Sequence, residues 1–501
     1  MQTTSSLFAE AIRRTTRDCP ALRVVFGQID PQAASSAALQ CLNGADWAEN
    51  NGVLGLDADA ETLPWATMED GRVRVNGGWL VAPAQGVCSD TRYVSAGLCG
   101  GDGGFAAPYP LLRVLFSAPA DILGFTLYFD GGCREYATEL RFSYYDAQGA
   151  LIETIEMAND SFCCVQGQGV QNASCCDISI LAWSEPERRA RVARLICGVI
   201  KQYEGGEIIS LEILEQIDPI SLQNPVKELI LTLYDRQEAF NPLDLQGVYK
   251  FFAQKMPLRV FCAAGGEEVD CGLYYTEKWA AGPRTLTLTA KDPVYFLDAL
   301  LPAENFVNAS LKEAAEHYLQ AAGVSDYHLA AALSYISGDF DAPSMSARLA
   351  LQRIAQAACV AFYADRQGVL RLEPIGETES GFTLDYDRIP PPLVEIMPAC
   401  ALLRMRTLTM ALPEAGKEMT LVNNPFISDA REPVVAAWLC SWLSRRRNLK
   451  SGLWPQDPRL EAGDKINVRT DFGLVCGATV LKNRLSFNGT DGLTGETEAI
   501  I

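Results

Sequence analysis

The chain has 501 residues, of which 48% are hydrophobic and 21% charged, and its formal net charge is −20. That length predicts about three or four domains with a sizeable core. The acidic balance argues against a protein that tracks a phosphate backbone, which needs clustered Lys and Arg, and no run of about 18 apolar residues predicts a membrane-spanning helix.

Residues 1 to 19 predict a short amphipathic helix with Leu7, Phe8, Ala11 and Ile12 on one side and Ser5 or Ser6 as N-cap. The segment has no apolar h-region, so it does not read as a secretory signal. Ala21 to Phe26 reads as a strand belonging with the β-rich stretch at 208–300. Residues from about 32 to 205 are then an insertion, which is tolerable because loop-closure entropy grows slowly with length. Residues 35–85 are rich in Gly, Ala and Asp and predict irregular structure. From Arg92 to Gly198 the pattern is clearer. Strands are expected at Leu111 to Ser117, Gly124 to Asp130, Glu139 to Asp146, Leu151 to Met157, Asp177 to Trp183 and Arg191 to Val199. Leu140, Phe142 and Tyr144 share one face, and the count suits a jelly-roll sandwich.

From Ile208 to Leu300, short alternating runs are separated by Gly, Pro, Asn and Asp, the mark of antiparallel sheet in a small barrel or sandwich. In residues 303–395, Ser310 and Glu313 form a capping box for a helix that stops at Gly323. A second helix starts near Ser344 or Ser346 and hands over to a hairpin around Asp365-Arg366-Gln367-Gly368. Residues 398–501 predict a second barrel. Its strands are Ala401 to Met410, Glu418 to Val422, Lys465 to Thr470, Ala478 to Leu481 and Arg484 to Phe487, with a helix at Pro433 to Arg446 and a tight turn at Gly463-Asp464.

The two histidines, His317 and His328, are not accompanied by a Gly-x-Ser-x-Gly elbow or a His-Glu-x-x-His helix. Gly100 to Gly104 lacks the Gly-Lys-Ser/Thr ending of a phosphate loop. Asp57-x-Asp59-x-Glu61 has Thr62 and Met68 where a calcium loop needs Gly and Glu, so it reads as a solvated acidic turn. The pairs Cys163-Cys164 and Cys175-Cys176 are compatible with free thiols, disulfides or metal ligation. Free thiols are preferred, because adjacent strand residues point to opposite faces. Arg445-Arg446-Arg447 with Lys450 reads as a solvated helix end. No catalytic, metal or cofactor site is singled out. The candidate ligand-binding residues are Tyr136, Tyr145 and Trp183, whose rings suit sugar faces, with Asp130 and Arg134 placed to bond hydroxyls.

Several segments carry a resemblance. They include Asp218-Pro219-Ile220-Ser221, Phe240-Asn241-Pro242, the helical run Gly247 to Phe252, Gly272-Leu273-Tyr274-Tyr275 with Trp279, and Ala290-Lys291-Asp292. Leu351 to Ala355 with Asp365 and Gly368-Val369-Leu370 continue it. The most specific are Asn423-Asn424-Pro425-Phe426-Ile427, Trp438, Trp442, Arg447 and Asp457 to Asp464. Together they resemble phage tail hub (baseplate hub) proteins of prophages in Gram-positive gut bacteria. The insertion is similar to discoidin-like and carbohydrate-binding modules through Gly124 to Asp130, and Leu63 to Glu69 with Val75 to Trp79 resembles a lead-in beside such modules.

The resemblance implies an α+β, β-rich chain. Residues 1–34 would give a helix and the first strand of barrel 1, 35–85 a lead-in, and 86–205 the inserted jelly roll. Barrel 1 would occupy 206–302, a small α/β domain 303–395, and barrel 2 396–501. It further implies a structural, non-enzymatic homotrimer in the virion tail, made in a bacterial cytoplasm. Its partners would be tail tube, distal tail and fibre proteins, and host polysaccharide through the insertion. The alternatives are a tail-associated glycan hydrolase or peptidase, the hub of a phage-derived injection system, and a free glycan-binding protein.

Overall fold

The computed structural model describes residues 1–14, 20–28, 31–48, 52–55, 65–66, 69, 80–81, 86, 88, 92–129, 135–220, 225–235, 243, 254–376, 379–384, 393–411, 416–421, 424–470, 473–489 and 492–501. The chain forms two compact units, one from Met1–Val25, Gln202–Tyr249 and Pro257–Ile501, the other from Phe26–Lys201 and Lys250–Met256. The expected features at Asp57 to Glu61, Phe240 to Pro242 and Gly247 to Phe252 lie outside the described residues, as do Asn423 and most of the lead-in at 63–79.

The Phe26–Lys201 unit is built on two antiparallel sheets. One runs in the order Cys163–Gln166, Phe125–Phe129, Arg191–Cys197, Tyr93–Val94. The other runs Ala37–Leu42, Leu111–Ile122, Val170–Trp183, Ala137–Tyr145, Leu151–Ala158. Alternation decides the packing. Leu112 and Val114, Leu140, Phe142 and Tyr144, and Ile178 and Ile180 point inward from the five-stranded sheet. They meet Phe125, Leu127, Val192 and Leu195 from the other in one core. Gly124 is required at its position: φ is +152°, and a Cβ there would lie 1.9 Å from the Gln166 carbonyl oxygen.

The other unit contains most of a thirteen-stranded, largely antiparallel sheet. Its order is Val199–Glu204, Ala21–Gln28, Pro257–Ala264, Glu267–Gly282, Thr285–Lys291, Glu228–Tyr234, Ile208–Gln216, Gly473–Phe487, Leu493–Ile500, Arg447–Lys450, Leu393–Ile396. Lys465–Thr470 also pairs with Gly473–Phe487 and holds Glu379–Leu384 in parallel. No closed barrel is present among the described strands, which corrects the expectation of two. The cause is the strand Gly473–Phe487. Two short strands were expected here, but it is one of fifteen residues, long enough to pair with Lys465–Thr470 at one end and with Ile208–Gln216 at the other. The two β-rich stretches are thereby hydrogen-bonded into one open sheet.

The helices follow their caps. Ser310 and Glu313 make the capping box of Leu311–Ala321, and Ser346 caps Ala347–Ala358. These helices share a core with Cys400–Met405, Lys417–Leu421 and the helix Glu432–Leu443 through Leu351, Ile354, Leu403, Phe426, Val435 and Leu439. Residues 465–500 instead pack with Phe382, Leu449 and Trp454. In the first helix, Ser6–Arg13, Phe8 and Ile12 are buried but Leu7 is 65% exposed, so its apolar stripe is narrower than the spacing implied.

An ion pair sits inside this unit. Arg366 and Glu215 are both buried, and the guanidinium is bidentate to the carboxylate, with Nε to Oε1 at 2.8 Å and Nη2 to Oε2 at 2.9 Å. Arg366 Nη1 donates to the carbonyls of Asp270 (3.2 Å) and Pro458 (2.5 Å), and Nη2 donates to that of Leu460 (2.8 Å). Burial pushes the Glu215 carboxyl up, but Arg366 and Lys227 outweigh it and hold it below the usual carboxylate range. Close by, Asp292 is buried. Its Oδ2 accepts from the Lys227 amide at 3.2 Å and its Oδ1 has no hydrogen-bond partner. Burial raises its pKa to about 6, with Lys227 and Arg348 opposing the shift.

Two outcomes are expected. Arg366→Met leaves buried Glu215 with only Lys227, at 3.8 Å, as counter-charge and should lower the unfolding free energy by about 3–5 kcal/mol in denaturant melts. Arg366→Lys should recover only part of this, since an ammonium lacks the planar fork. Asp292 has a folded pKa above its unfolded one, so its stabilising share is full below about pH 4 and lost as pH rises through about 6. The unfolding free energy of Asp292→Asn relative to wild type should therefore shift in the variant's favour between pH 4.5 and 7.5, by about 2 kcal/mol.

Candidate functional site

Of the five residues singled out from the sequence, Asp130 and Arg134 lie outside the described residues. Tyr136 and Trp183 are neighbours at one end of the sandwich, because Ala137–Tyr145 and Val170–Trp183 are adjacent antiparallel strands with Trp183 opposite Ala137. Tyr145 is at the far end of its strand, opposite Cys175 and Leu151, so it does not join them.

Trp183 is a core side chain. It is 3% exposed, its ring stands edge-on to Phe129 with centroids 5.6 Å apart, and its indole N–H donates to Glu135 Oε2 at 3.1 Å. A ring held this way presents no face to a sugar. Nothing in the sequence marks Glu135 as a buried acceptor for its N–H. Glu135 is itself buried, 3.4 Å from Arg188 Nε.

Tyr136 is half-buried and meets Phe162 edge-on, with centroids 5.3 Å apart. Phe162 is 39% exposed, and the sequence reading did not pick it out. Its signal was an aromatic residue following Asn159-Asp160-Ser161, a polar turn. The turn is braced by Asn159, whose Nδ2 donates to the carbonyls of Ala137 and Ser161, each at 2.7 Å. Ser184 fixes Tyr136 from the other side: its Oγ accepts from the Tyr136 amide at 3.0 Å, and its own amide donates to the Tyr136 carbonyl at 2.9 Å. The result is a pair of rings at the sandwich rim, one of them open to solvent, on backbone held by hydrogen bonds. Such a surface suits stacking against an apolar sugar face.

Cys164, Cys176 and Cys197 line the sandwich core, and burial pushes Cys164 and Cys197 up to about 12 and Cys176 higher than its ordinary value. Among the described residues, no three His, Cys, Asp or Glu side chains converge as a metal ion would need. His317 Nε2 lies 3.5 Å from Glu304 and His328 Nδ1 lies 2.6 Å from Glu373. The basic run is engaged rather than free: Arg445 lies 4.3 Å over the Trp442 ring, Arg446 donates to the Met397 carbonyl, and Lys450 pairs with Glu395 at 2.8 Å. Among the described residues no helix is long and apolar enough to cross a membrane.

No known family profile and no curated protein matches the chain. Among solved structures it is similar to the 43 kDa tail protein of prophage MuSo2 from Shewanella oneidensis, at 14% identity and a TM-score of 0.45, over 60% of this chain and 93% of that one. It is similar to the tail protein from Neisseria meningitidis MC58 at 14% identity and a TM-score of 0.44, over 60% and 93%. It is also similar to the E. coli c3393 protein, at 11% identity and a TM-score of 0.41, over 59% and 73%. That protein is described as a component of the type VI secretion system with structural similarity to the T4 bacteriophage tail proteins gp27 and gp5.

The two aromatic environments predict different costs. Trp183→Ala should destabilise the protein by about 3–5 kcal/mol, as for other large core truncations, whereas Phe162→Ala at the rim should cost under about 1 kcal/mol. Thermal melts of the two variants side by side check this.

Proposed function

We propose that the chain is a structural, non-enzymatic component of a phage-type tail, a hub that assembles as a homotrimer between tail tube and tip. One observation carries this reading. Three of the segments that resemble hub proteins, Gly272 to Tyr275, Asp365 to Leu370 and Asp457 to Asp464, scattered over about 190 residues of sequence, meet at Arg366. Its carbonyl accepts from the Leu273 amide at 2.9 Å, and its guanidinium reaches Asp270, Pro458 and Leu460. Lys227, which faces Glu215 at 3.8 Å, ties in Asp292. Unrelated segments have no reason to share both a sequence likeness and one buried ion pair.

In this reading the two halves of the long sheet stand for the paired barrels of a hub. The sandwich is an accessory jelly-roll module, and its Tyr136–Phe162 rim takes a neutral sugar of a host surface polysaccharide, with Asp130 and Arg134 as further candidates. Its place is the virion tail, and its partners are tube, distal tail and fibre proteins. A phage-derived injection system uses the same part and is the second form of the same proposal.

Native mass spectrometry of the full chain at micromolar concentration should give three times the 54.6 kDa protomer mass; a monomer throughout would sink the hub reading. On a polysaccharide array, wild type should bind at least one bacterial glycan, and Phe162→Ala should bind it about tenfold more weakly, equivalent to about 1.4 kcal/mol. Equal binding by the variant would remove the rim as the sugar site.

A further inference from the structure

The thirteen-stranded sheet is open, so it has two ends. Val199–Glu204 stands at one and Leu393–Ile396 at the other, and among the described strands neither has a neighbour on its outer side. An end strand leaves a row of backbone N–H and C=O groups unpaired. Proteins ordinarily guard such a row with a lysine, a proline, a bulge or a covering segment.

The Leu393–Ile396 strand has no lysine, proline or bulge of its own. It is also uncovered: Leu393 is 65% exposed, Ile396 68%, and Met397, the next residue, 40%. Its single charge, Glu395, is cancelled by Lys450 of the neighbouring strand at 2.8 Å. The ladder shows which amides look outward. The strand pairs antiparallel with Arg447–Lys450, Leu393 opposite Lys450 and Ile396 opposite Arg447. One step on, the Met397 amide donates to the Arg446 carbonyl at 2.7 Å. Hydrogen bonding alternates along an antiparallel pair, so Leu393 and Glu395 turn their amides to that neighbour, and Val394 and Ile396 turn theirs away from it.

We propose that the Leu393–Ile396 strand of one copy pairs with the Val199–Glu204 strand of a second copy, and so on around the assembly. Topology selects this occupant. Every copy carries both ends of the same sheet, so head-to-tail pairing uses both and leaves neither bare, and contacts of that kind close into rings. Pairing of Leu393–Ile396 with itself would be a two-fold contact that stops at a dimer and leaves each Val199–Glu204 edge open. Charge agrees. In a chain of net charge −20 the Leu393–Ile396 ladder is neutral, and within Val199–Glu204 Lys201 and Glu204 offset each other. Backbone hydrogen bonds supply the affinity of such strand addition, and Leu393 and Ile396 add apolar contact. The inference rests on the hub reading in one respect, that three copies meet. It adds which strands join them.

The test is sedimentation velocity on the full chain over a concentration series, paired with thermal melts of dilute protein. Ile396→Pro deletes one outward amide and no ladder bond inside the chain, and proline is tolerated on an edge strand. It should raise the dissociation constant of the trimer by about tenfold or more, while the melting temperature of dilute protein stays level. Leu393→Lys combined with Ile396→Lys should act the same way, by adding the charges that edges ordinarily carry. In trimers assembled from light and isotope-labelled chains, an amine cross-linker should join Lys450 of one copy to Lys201 of another. Ile396→Pro trimers as tight as wild type, or wild-type trimers without that link between copies, overturn this inference and leave the hub reading standing. A marked drop in melting temperature for dilute Ile396→Pro also overturns it, since that amide would then be engaged within its own chain. Wild-type protein that stays monomeric or stops at a dimer overturns both.

Discussion

The Phe26–Lys201 unit stands on an ordinary apolar sandwich core; the other unit depends on the Arg366–Glu215 pair. A guanidinium has five N–H donors and cannot shed its charge. Buried at Arg366, it finds five acceptors: two carboxylate oxygens of Glu215 and the carbonyls of Asp270, Pro458 and Leu460. These come from three strands or turns far apart in sequence, with the hairpin turn Asp365–Gly368 inserted among them. An apolar side chain of equal size could fill the same space with no desolvation penalty. It could not fix the register of three polar backbone segments at once, because hydrophobic packing is non-directional. The pair is best understood as specifying one arrangement; Gly463 follows in the chain at φ +99°, its amide donating to the Val480 carbonyl at 2.7 Å.

The same unit repeats the device at smaller scale. Buried Glu432 accepts from the Thr407 amide and hydroxyl and from the Leu408 amide, which closes the turn between Cys400–Met405 and Thr409–Ala411. Asp457 and Arg459 form a bidentate pair two residues apart, which stiffens the stretch that feeds Pro458 and Leu460 to Arg366. Against that background Asp292 stands out as a buried carboxylate with one oxygen unmet.

Periodicity made the local elements legible and left their assembly obscure. Alternation in Leu140, Phe142 and Tyr144 gave a strand and its inward face, and the Ser310–Glu313 box gave a helix start, because each is decided within one turn or one pleat. The joining of the Ile208–Gln216 and Gly473–Phe487 strands is a long-range pairing between residues some 270 apart, and nothing local encodes it. Two strands were read where one exists because Lys482 and Asn483 interrupt the apolar pattern; Asn483 is buried and paired, with its Nδ2 on the Leu460 carbonyl. A polar residue satisfied by a distant partner looks, in sequence, like a loop. Trp183 misled for the same reason: its indole N–H finds Glu135, and a buried tryptophan with an acceptor is indistinguishable in sequence from an exposed one. Phe162 was missed because it sits in a polar turn, where an aromatic residue breaks no pattern.

The weakness of the rim site bears on how it would be used. Two aromatic rings with one open face offer an aromatic contribution of about 0.5–1.5 kcal/mol beyond the area they cover, far short of stable capture by a single copy. The value of such a site depends on how many are presented together, since a second and third engagement are governed by effective concentration and multiply a weak affinity by about 10²–10⁴. In the proposed trimer three such rims would be presented on one particle. Under that proposal a single rim could remain weak, because three copies would engage together.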